Sequence, residues 1–121
     1  MKRQKPLEVV FFESDAGNQP VKAFLTSRPK EDRKEIGADI YNVQKEFPVG
    51  LPLVRKVDIG LWEVRSTIPD GICRILFTVT NTKMVLLHGF VKKTQKIPPK
   101  ELEIAINRLK EFNNLSTRIK K

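Results

Sequence analysis

The chain contains one cysteine, one histidine, one tyrosine and one tryptophan in 121 residues. A single cysteine excludes an intrachain disulfide framework, and one histidine beside one cysteine argues against a zinc site. No apolar run approaches the roughly 18 residues that a membrane-spanning helix needs. The opening MKRQKPLEVVFF reaches acidic residues without a small-residue cleavage site, which favours a first strand over a signal peptide. These absences predict a cytoplasmic protein without a cofactor or a metal.

Acidic residues are also scarce, and their scarcity is uneven along the chain. Fourteen Asp and Glu stand against 23 Lys and Arg, for a net charge of +9. Residues 1–49 carry nine basic and eight acidic side chains, residues 50–100 nine and three, and residues 101–121 five and three. The middle segment therefore holds +6 of the surplus, which favours a polyanion as partner. A solvated lysine-rich surface is the alternative, and charge alone does not decide between them.

Length predicts a single domain over residues 1–121, ending in a basic tail at about 115–121. LEVVFFE at 7–13 is dense in β-branched and aromatic residues, which is typical of a strand. Two helices should follow, a short one entered through Pro20 and a longer one opened by Pro29 and ending at Phe47. Apolar residues of the longer helix recur at helical spacing, so that one side of it should face a core.

A meander of three strands is predicted next, at about 53–67, 71–80 and 83–92. Pro69-Asp70-Gly71 and Asn81-Thr82 mark its hairpin turns, and Pro98-Pro99 introduces a last helix that Asn113-Asn114 can cap. The order β-α-α-β-β-β-α indicates an α+β fold, with the helices on one face of a mostly antiparallel sheet.

Alternation of side chains along the strands collects cations on one face of this sheet. The apolar row from Cys73 to Val79 in the second meander strand should face the helices, so Arg74 points the other way. The same argument places Arg65 beside it from the first strand, and His88 and Lys92 from the third. We call the surface that these four residues share the cationic face. Four more basic residues can reach its rim from strand ends or loops: Arg55, Lys56, Lys93 and Lys96.

Each of these residues has a simpler interpretation when it is taken alone. Arg65 can pair with Glu63 or a helix carboxylate, His88 can be a hydrogen-bonded structural residue, and the lysines can be a solvated strand exit. Apolar residues such as Leu86 and Phe90 are also predicted on the cationic face. A free monomer would not leave them all exposed, so the last helix or a partner should cover them. The convergence of cations with very little acid favours a functional surface.

The strings LWEVRSTIPDGICRILFTV and LLHGFVKKTQKIPPKEL resemble the RelE/HigB toxins of bacterial type II toxin–antitoxin pairs, and more closely the phage-derived branch of the RelE/ParE superfamily. The likeness covers about residues 50–110, and HGFVKKTQKIPPKE is its most specific part. It implies an endoribonuclease, an mRNA interferase, that cleaves translated mRNA in the ribosomal A site and so inhibits translation. It also implies a cognate antitoxin, commonly a small helix-turn-helix DNA-binding protein.

Carried over residue by residue, the resemblance assigns the functional strand arginines to Arg65 and Arg74 and the basic pair to Lys92 and Lys93. The arginines suit stabilisation of charge on a phosphate. Lys92, Lys93 or His88 is the predicted base that takes the proton from the 2′-hydroxyl.

Three further residues are expected to bind RNA or the ribosome: Arg55, Lys56 and Lys96. Several relatives place a tyrosine near the C-terminus, whereas the tyrosine here is Tyr41, in the long helix. Two alternatives remain open, a ParE-like toxin that acts on gyrase without cutting and a non-catalytic nucleic-acid-binding module.

Overall fold

The computed structural model describes residues 5–119, with side chains as far as Leu115. Its elements are β1 (Glu8–Phe11), α1 (Pro20–Thr26), α2 (Lys30–Glu46), β2 (Val54–Asp58), β3 (Leu61–Ile68), β4 (Gly71–Thr80), β5 (Lys83–Lys92) and α3 (Pro99–Ile119). The five strands form one sheet in the order β1-β5-β4-β3-β2, in which β1 is parallel to β5 and the other neighbours are antiparallel. The predicted α+β class and mostly antiparallel sheet are confirmed.

Two elements differ from their predicted bounds by more than two residues. The segment predicted as one strand at 53–67 is the hairpin of β2 and β3, because Gly60 adopts a positive φ of 66° and reverses the chain there. At the other end, α3 continues past Asn113-Asn114 to Ile119. The predicted basic tail at about 115–121 is therefore helical up to Ile119. Residues 1–4 and 120–121 lie outside the described residues.

The helices lie on both faces of the sheet, which corrects the predicted arrangement on one face. α1 and α2 pack on the face that carries Cys73, Ile75 and Phe77, as the apolar row predicts. α3 covers the opposite face, where it forms a second core with Leu76 and Phe90. The part of that face under α3 is apolar, and removing it from water stabilises the fold by roughly 25 cal/mol per Å². The sequence predicts that either the last helix or a partner covers the apolar residues of the cationic face. For Phe90 the structure shows that the last helix does so.

A β-bulge in β5 explains why regular alternation predicts the wrong face for part of this strand. Leu76 and Phe77 of β4 pair with His88 and Leu86, so that Leu87 is an extra residue on β5. As a result Leu87 lies in the core under α3, whereas Leu86 lies under α1 and α2. Unbroken alternation predicts the reverse for both leucines, because it counts every residue as one step across the sheet.

Close packing at Gly89 predicts a large effect of a small substitution. A Cβ atom at Gly89 would lie 2.7 Å from Cδ2 of Phe24 and 2.9 Å from Cδ1 of Ile75. Gly89→Ala should therefore lower the free energy of unfolding by about 1–3 kcal/mol, as overpacking does, in urea denaturation. Gly37→Ala is the matched control, because a Cβ there meets no atom within 4 Å in helix α2; it should stabilise by about 0.5–1 kcal/mol. Equal stability of Gly89→Ala and the wild type would contradict the close packing.

Candidate functional site

The cationic face is built around a buried carboxylate, Glu63. Its side chain is 0 % exposed and lies within ion-pair distance of three arginines. Nη1 of Arg74 is 3.0 Å from Oε2, whereas Nε of Arg55 and Nε of Arg65 are 3.4 Å and 3.7 Å from Oε1. The register makes this possible, because Glu63 is opposite Arg55 and Arg65 is opposite Arg74. Three positive charges against one negative charge leave a local surplus of +2.

Arg74 holds the loop at residues 93–98, which we call the 93–98 loop. Its Nη1 donates to the Gln95 carbonyl at 3.1 Å, and its Nη2 donates to the Thr94 carbonyl. The prediction that Arg74 lies on the face opposite Cys73 is correct, but its side chain is 0 % exposed. Its terminal nitrogens are thus directed at the protein's own backbone and at Glu63. This geometry favours a positioning role for Arg74 over direct contact with a phosphate.

Arg55 and Arg65 keep part of their side chains at the surface, with 33 % and 17 % exposed. Nη2 of Arg65 donates to Oε1 of Gln95 at 3.1 Å, and Nη2 of Arg55 donates to the Gln95 carbonyl at 3.4 Å. Gln95 therefore meets all three arginines. Sequence reasoning missed this residue, because nothing marks one exposed loop glutamine until three strands direct their arginines at it. The simpler interpretation of Arg65, an ion pair with Glu63, is present at 3.7 Å.

A groove of about 290 Å³ lies at the β2 edge of the sheet. It is lined by Arg55, Lys56 and Lys96 together with Val57, Ile97 and Leu102. The structure thus brings together the three residues predicted to bind RNA or the ribosome. The ammonium of Lys56, however, is 5.8 Å from the ring centroid of Trp62, which packs on the α2 side. Arg55 and Lys96 are therefore the stronger candidates for binding an anion in the groove.

Lys92 and Lys93 stand exposed where β5 ends and the 93–98 loop begins. Lys92 is opposite Ile72 in the register, and the stem of Lys93 runs close to Gly71, where an added Cβ would be 3.1 Å from Cγ of the lysine. Within residues 5–119 neither lysine forms an ion pair. Both ammonium groups are therefore available to a substrate.

His88 lies under α3, and both of its ring nitrogens have partners. Nε2 is 2.7 Å from Oε1 of Glu101, and Nδ1 is 3.3 Å from Nη1 of Arg108. A guanidinium can only donate, so Nδ1 accepts, and the Nε2–H of a neutral ring donates to Glu101. Burial lowers the pKa of His88, and the charge of Arg108 lowers it further against the hydrogen bond to Glu101. This geometry favours the structural interpretation of His88 over the role of general base.

Burial restricts the chemistry that Cys73 can perform. Cys73 is buried in the core, as predicted, and burial raises the pKa of its thiol to about 12, so the thiol is protonated at neutral pH.

Among the described residues, no three His, Cys, Asp or Glu side chains form a group that could hold a metal. Nor does the described part of the chain contain a helix of sufficient length and apolar character to cross a membrane.

The environment of His88 predicts a pH-dependent stability. Because its pKa is lower in the folded chain than the unfolded value of about 6.5, the unfolded chain binds the proton more readily. This contribution to stability is complete above pH about 6.5 and is lost as the pH falls through the lowered folded pKa. His88→Asn, which keeps an amide donor for Glu101, should show a weaker loss of the free energy of unfolding between neutral and mildly acidic pH. An identical pH slope in both proteins would contradict the assignment.

The chain matches a known protein family from α1 to α3. Residues 23–110 match the family model described as Phage derived protein Gp49-like (DUF891). This range contains every residue of the cationic face and the 93–98 loop, and it covers well over half of the chain. No curated protein is similar enough to the chain to count as a match. The chain therefore belongs to the Gp49-like family of phage-derived proteins.

Proposed function

We propose that this protein is the toxin of a type II toxin–antitoxin pair of the RelE/HigB kind, and that it cleaves mRNA on the ribosome in the cytoplasm. The observation that carries the proposal is the arginine cluster over Glu63, which keeps a surplus of +2 beside two lysines that have no ion pair within the described residues. Membership in a phage-derived family supports a role in such a module. The proposed partners are mRNA, the ribosomal A site and a cognate antitoxin, commonly a helix-turn-helix protein in this branch.

The proposed reaction uses the 2′-hydroxyl of the RNA as the nucleophile. A base removes the hydroxyl proton, the oxygen forms a bond to the adjacent phosphorus, and the bond from phosphorus to the 5′-oxygen breaks. The 5′-oxygen takes up a proton, and the products are a 2′,3′-cyclic phosphate and a 5′-hydroxyl. Negative charge develops on the phosphate oxygens, where Arg65 can donate two hydrogen bonds without losing its own charge.

The remaining tasks fall to the residues around Arg65. Lys92 or Lys93 is the proposed base, because both lysines are exposed and unpaired while His88 has no free ring nitrogen. Arg55 and Lys96 border the groove of about 290 Å³ and would bind the flanking phosphates. Arg74 acts indirectly, since it holds the 93–98 loop that follows both lysines.

The non-cutting alternatives draw support from one observation. Arg74 and His88, two of the five residues predicted to be catalytic, are engaged within the protein. Inducible expression with mapping of transcript 5′ ends separates the possibilities. Cuts in phase with codons are expected for a ribosome-dependent nuclease. DNA damage with intact mRNA would instead identify a ParE-like action on gyrase. If both mRNA and DNA remain intact, the protein would be a non-catalytic nucleic-acid-binding module.

Arg65 and Arg74 should respond differently to the same substitution. Arg65→Ala removes a partly exposed donor, so mRNA cleavage should fall about 10²–10³-fold while the fold is retained. Arg74→Ala leaves Glu63 buried without its nearest cation, which should destabilise the fold by about 3–5 kcal/mol. Cleavage assays on purified ribosomes, with urea denaturation of both variants, test the pair. A folded Arg65→Ala variant with full cleavage would rule out the proposed role of Arg65.

The general base is tested by three conservative variants. Lys92→Arg and Lys93→Arg keep the positive charge, but a guanidinium does not release a proton near neutral pH. At the residue that serves as base, cleavage should collapse while ribosome binding weakens only modestly, and His88→Gln should be the mildest change. Cleavage is compared at matched ribosome occupancy. Loss of turnover in His88→Gln alone would transfer the role to His88, and near-native cleavage in all three variants would indicate a base from the ribosome or the RNA.

A further inference from the structure

β1 is an edge strand whose outer side has no partner within the described residues. It pairs with β5 on one side only. The amides of Glu8 and Phe12 donate toward β5, to the Thr82 carbonyl at 2.8 Å and the Leu86 carbonyl at 3.0 Å. Backbone groups alternate in direction along a strand, so those of Val9 and Phe11 point outward. An edge with unpaired backbone groups is a template for a further strand.

An apolar groove follows this edge. It has a volume of about 440 Å³, larger than the groove at the cationic face. Its lining is formed by Val9–Phe12 and by Phe112 and Leu115 of α3, with Glu13 and Gln19 as the polar members. Val9, Val10 and Phe11 are only partly buried. The edge thus offers apolar side chains and free hydrogen-bonding groups at the same place, which is what an added β-strand requires.

We propose that the protein forms a two-fold symmetric dimer in which the β1 strands of two copies pair in antiparallel orientation. Val9 and Phe11 are the β1 residues with outward backbone groups. A two-fold axis through Val10 places each Val9 opposite Phe11 of the second copy, and each such pair exchanges two hydrogen bonds. An axis through Val9 would instead require Leu7, whose amide and carbonyl are already bonded to Gln44 of α2. Pairing about Val10 therefore uses all the free groups.

The side chains suit this register. Val10 meets Val10 of the second copy at the axis, on the face covered by α3, and Val9 lies opposite an aromatic ring on the other face. Pairs of aromatic and β-branched residues stabilise antiparallel strands. Glu8 lies opposite Phe12 of the second copy, and the guanidinium of Arg108 is 5.9 Å from the centroid of that ring. The register thus directs a carboxylate toward a cation at each end of the pairing.

The distribution of charge permits the contact despite the net charge of +9. Residues 1–49, which include β1, carry a net charge of +1, whereas residues 50–100 carry +6. β1 pairs with residues 83–86 at the start of β5, whereas Lys92 lies at the end of that strand, six residues of roughly 3.3 Å each beyond Leu86. This separation is about twice the Debye length of roughly 8 Å at physiological ionic strength. The dimer would join edges that lie away from the cationic residues and leave both cationic faces open, so the inference does not depend on the proposed function.

Sedimentation velocity and light scattering over a micromolar concentration series test the dimer. The wild type should reach twice the chain mass of 13.9 kDa as the concentration rises. Val10→Lys and Val10→Glu each place like charges at the axis, so each variant alone should be monomeric. An equimolar mixture should recover the dimer, because the ammonium of one variant then meets the carboxylate of the other. Val57→Lys is the matched control on the opposite edge strand and should remain dimeric.

Several outcomes would overturn the proposal. The wild type would contradict it by remaining monomeric at every concentration. A folded Val10→Lys variant that still dimerises would also contradict it, as would a Val57→Lys variant that no longer dimerises. Circular dichroism establishes that each variant is folded. Hydrogen exchange on the wild type covers the case in which the Val10 variants do not fold. The Val9 and Phe11 amides should exchange more slowly as the concentration rises, and exchange that does not change with concentration would exclude the β1 interface.

Discussion

The buried ion pair of Glu63 and Arg74 is the interaction on which the cationic face depends. Both side chains are fully buried, and an isolated charge in that position would cost several kcal/mol. The cost is offset because Arg74 donates to Glu63 and also to the carbonyls of Thr94 and Gln95. A single side chain on β4 thereby connects β3 to the 93–98 loop. Arg65 lies on β3 and Arg55 on the neighbouring β2. Lys93 and Lys96 belong to the 93–98 loop, and Lys92 ends the β5 strand that leads into it.

The carboxylate of Glu63 contacts one buried arginine and two partly exposed arginines. Its Oε2 atom is used by Arg74, whereas its Oε1 atom attracts Arg55 and Arg65 from 3.4 Å and 3.7 Å and has no hydrogen-bond partner. Electrostatic attraction at these distances holds the two guanidiniums in place without occupying all of their donors. A surface of this kind is organised before a ligand arrives, which is what stabilisation of charge on a phosphate requires. It also stays open, because the burial is concentrated in Arg74.

α3 is the second constraint on the site. It buries apolar residues that share a face with the arginines, and within the described side chains His88 and Arg108 attach it to β5 by polar contacts. Two of these contacts are made by His88, with Glu101 and Arg108, and another joins Arg108 to the Leu87 carbonyl at 2.9 Å. The apolar surface between the cations is therefore buried by α3 of the same chain. What stays incomplete in the described structure is the outer side of β1, at the other end of the sheet.

The sequence by itself determined most of the helices and strands and the side on which most strand residues lie. Predicted strands at 71–80 and 83–92 match β4 and β5, and alternation placed Arg65 and Arg74 on one face, because side-chain direction in a regular strand depends only on local geometry. Only the tertiary structure decided what covers that face. The β-bulge at Leu87, the burial of Arg74 and the role of Gln95 arise where segments distant along the chain meet, and such contacts follow from packing and electrostatics that no local pattern encodes.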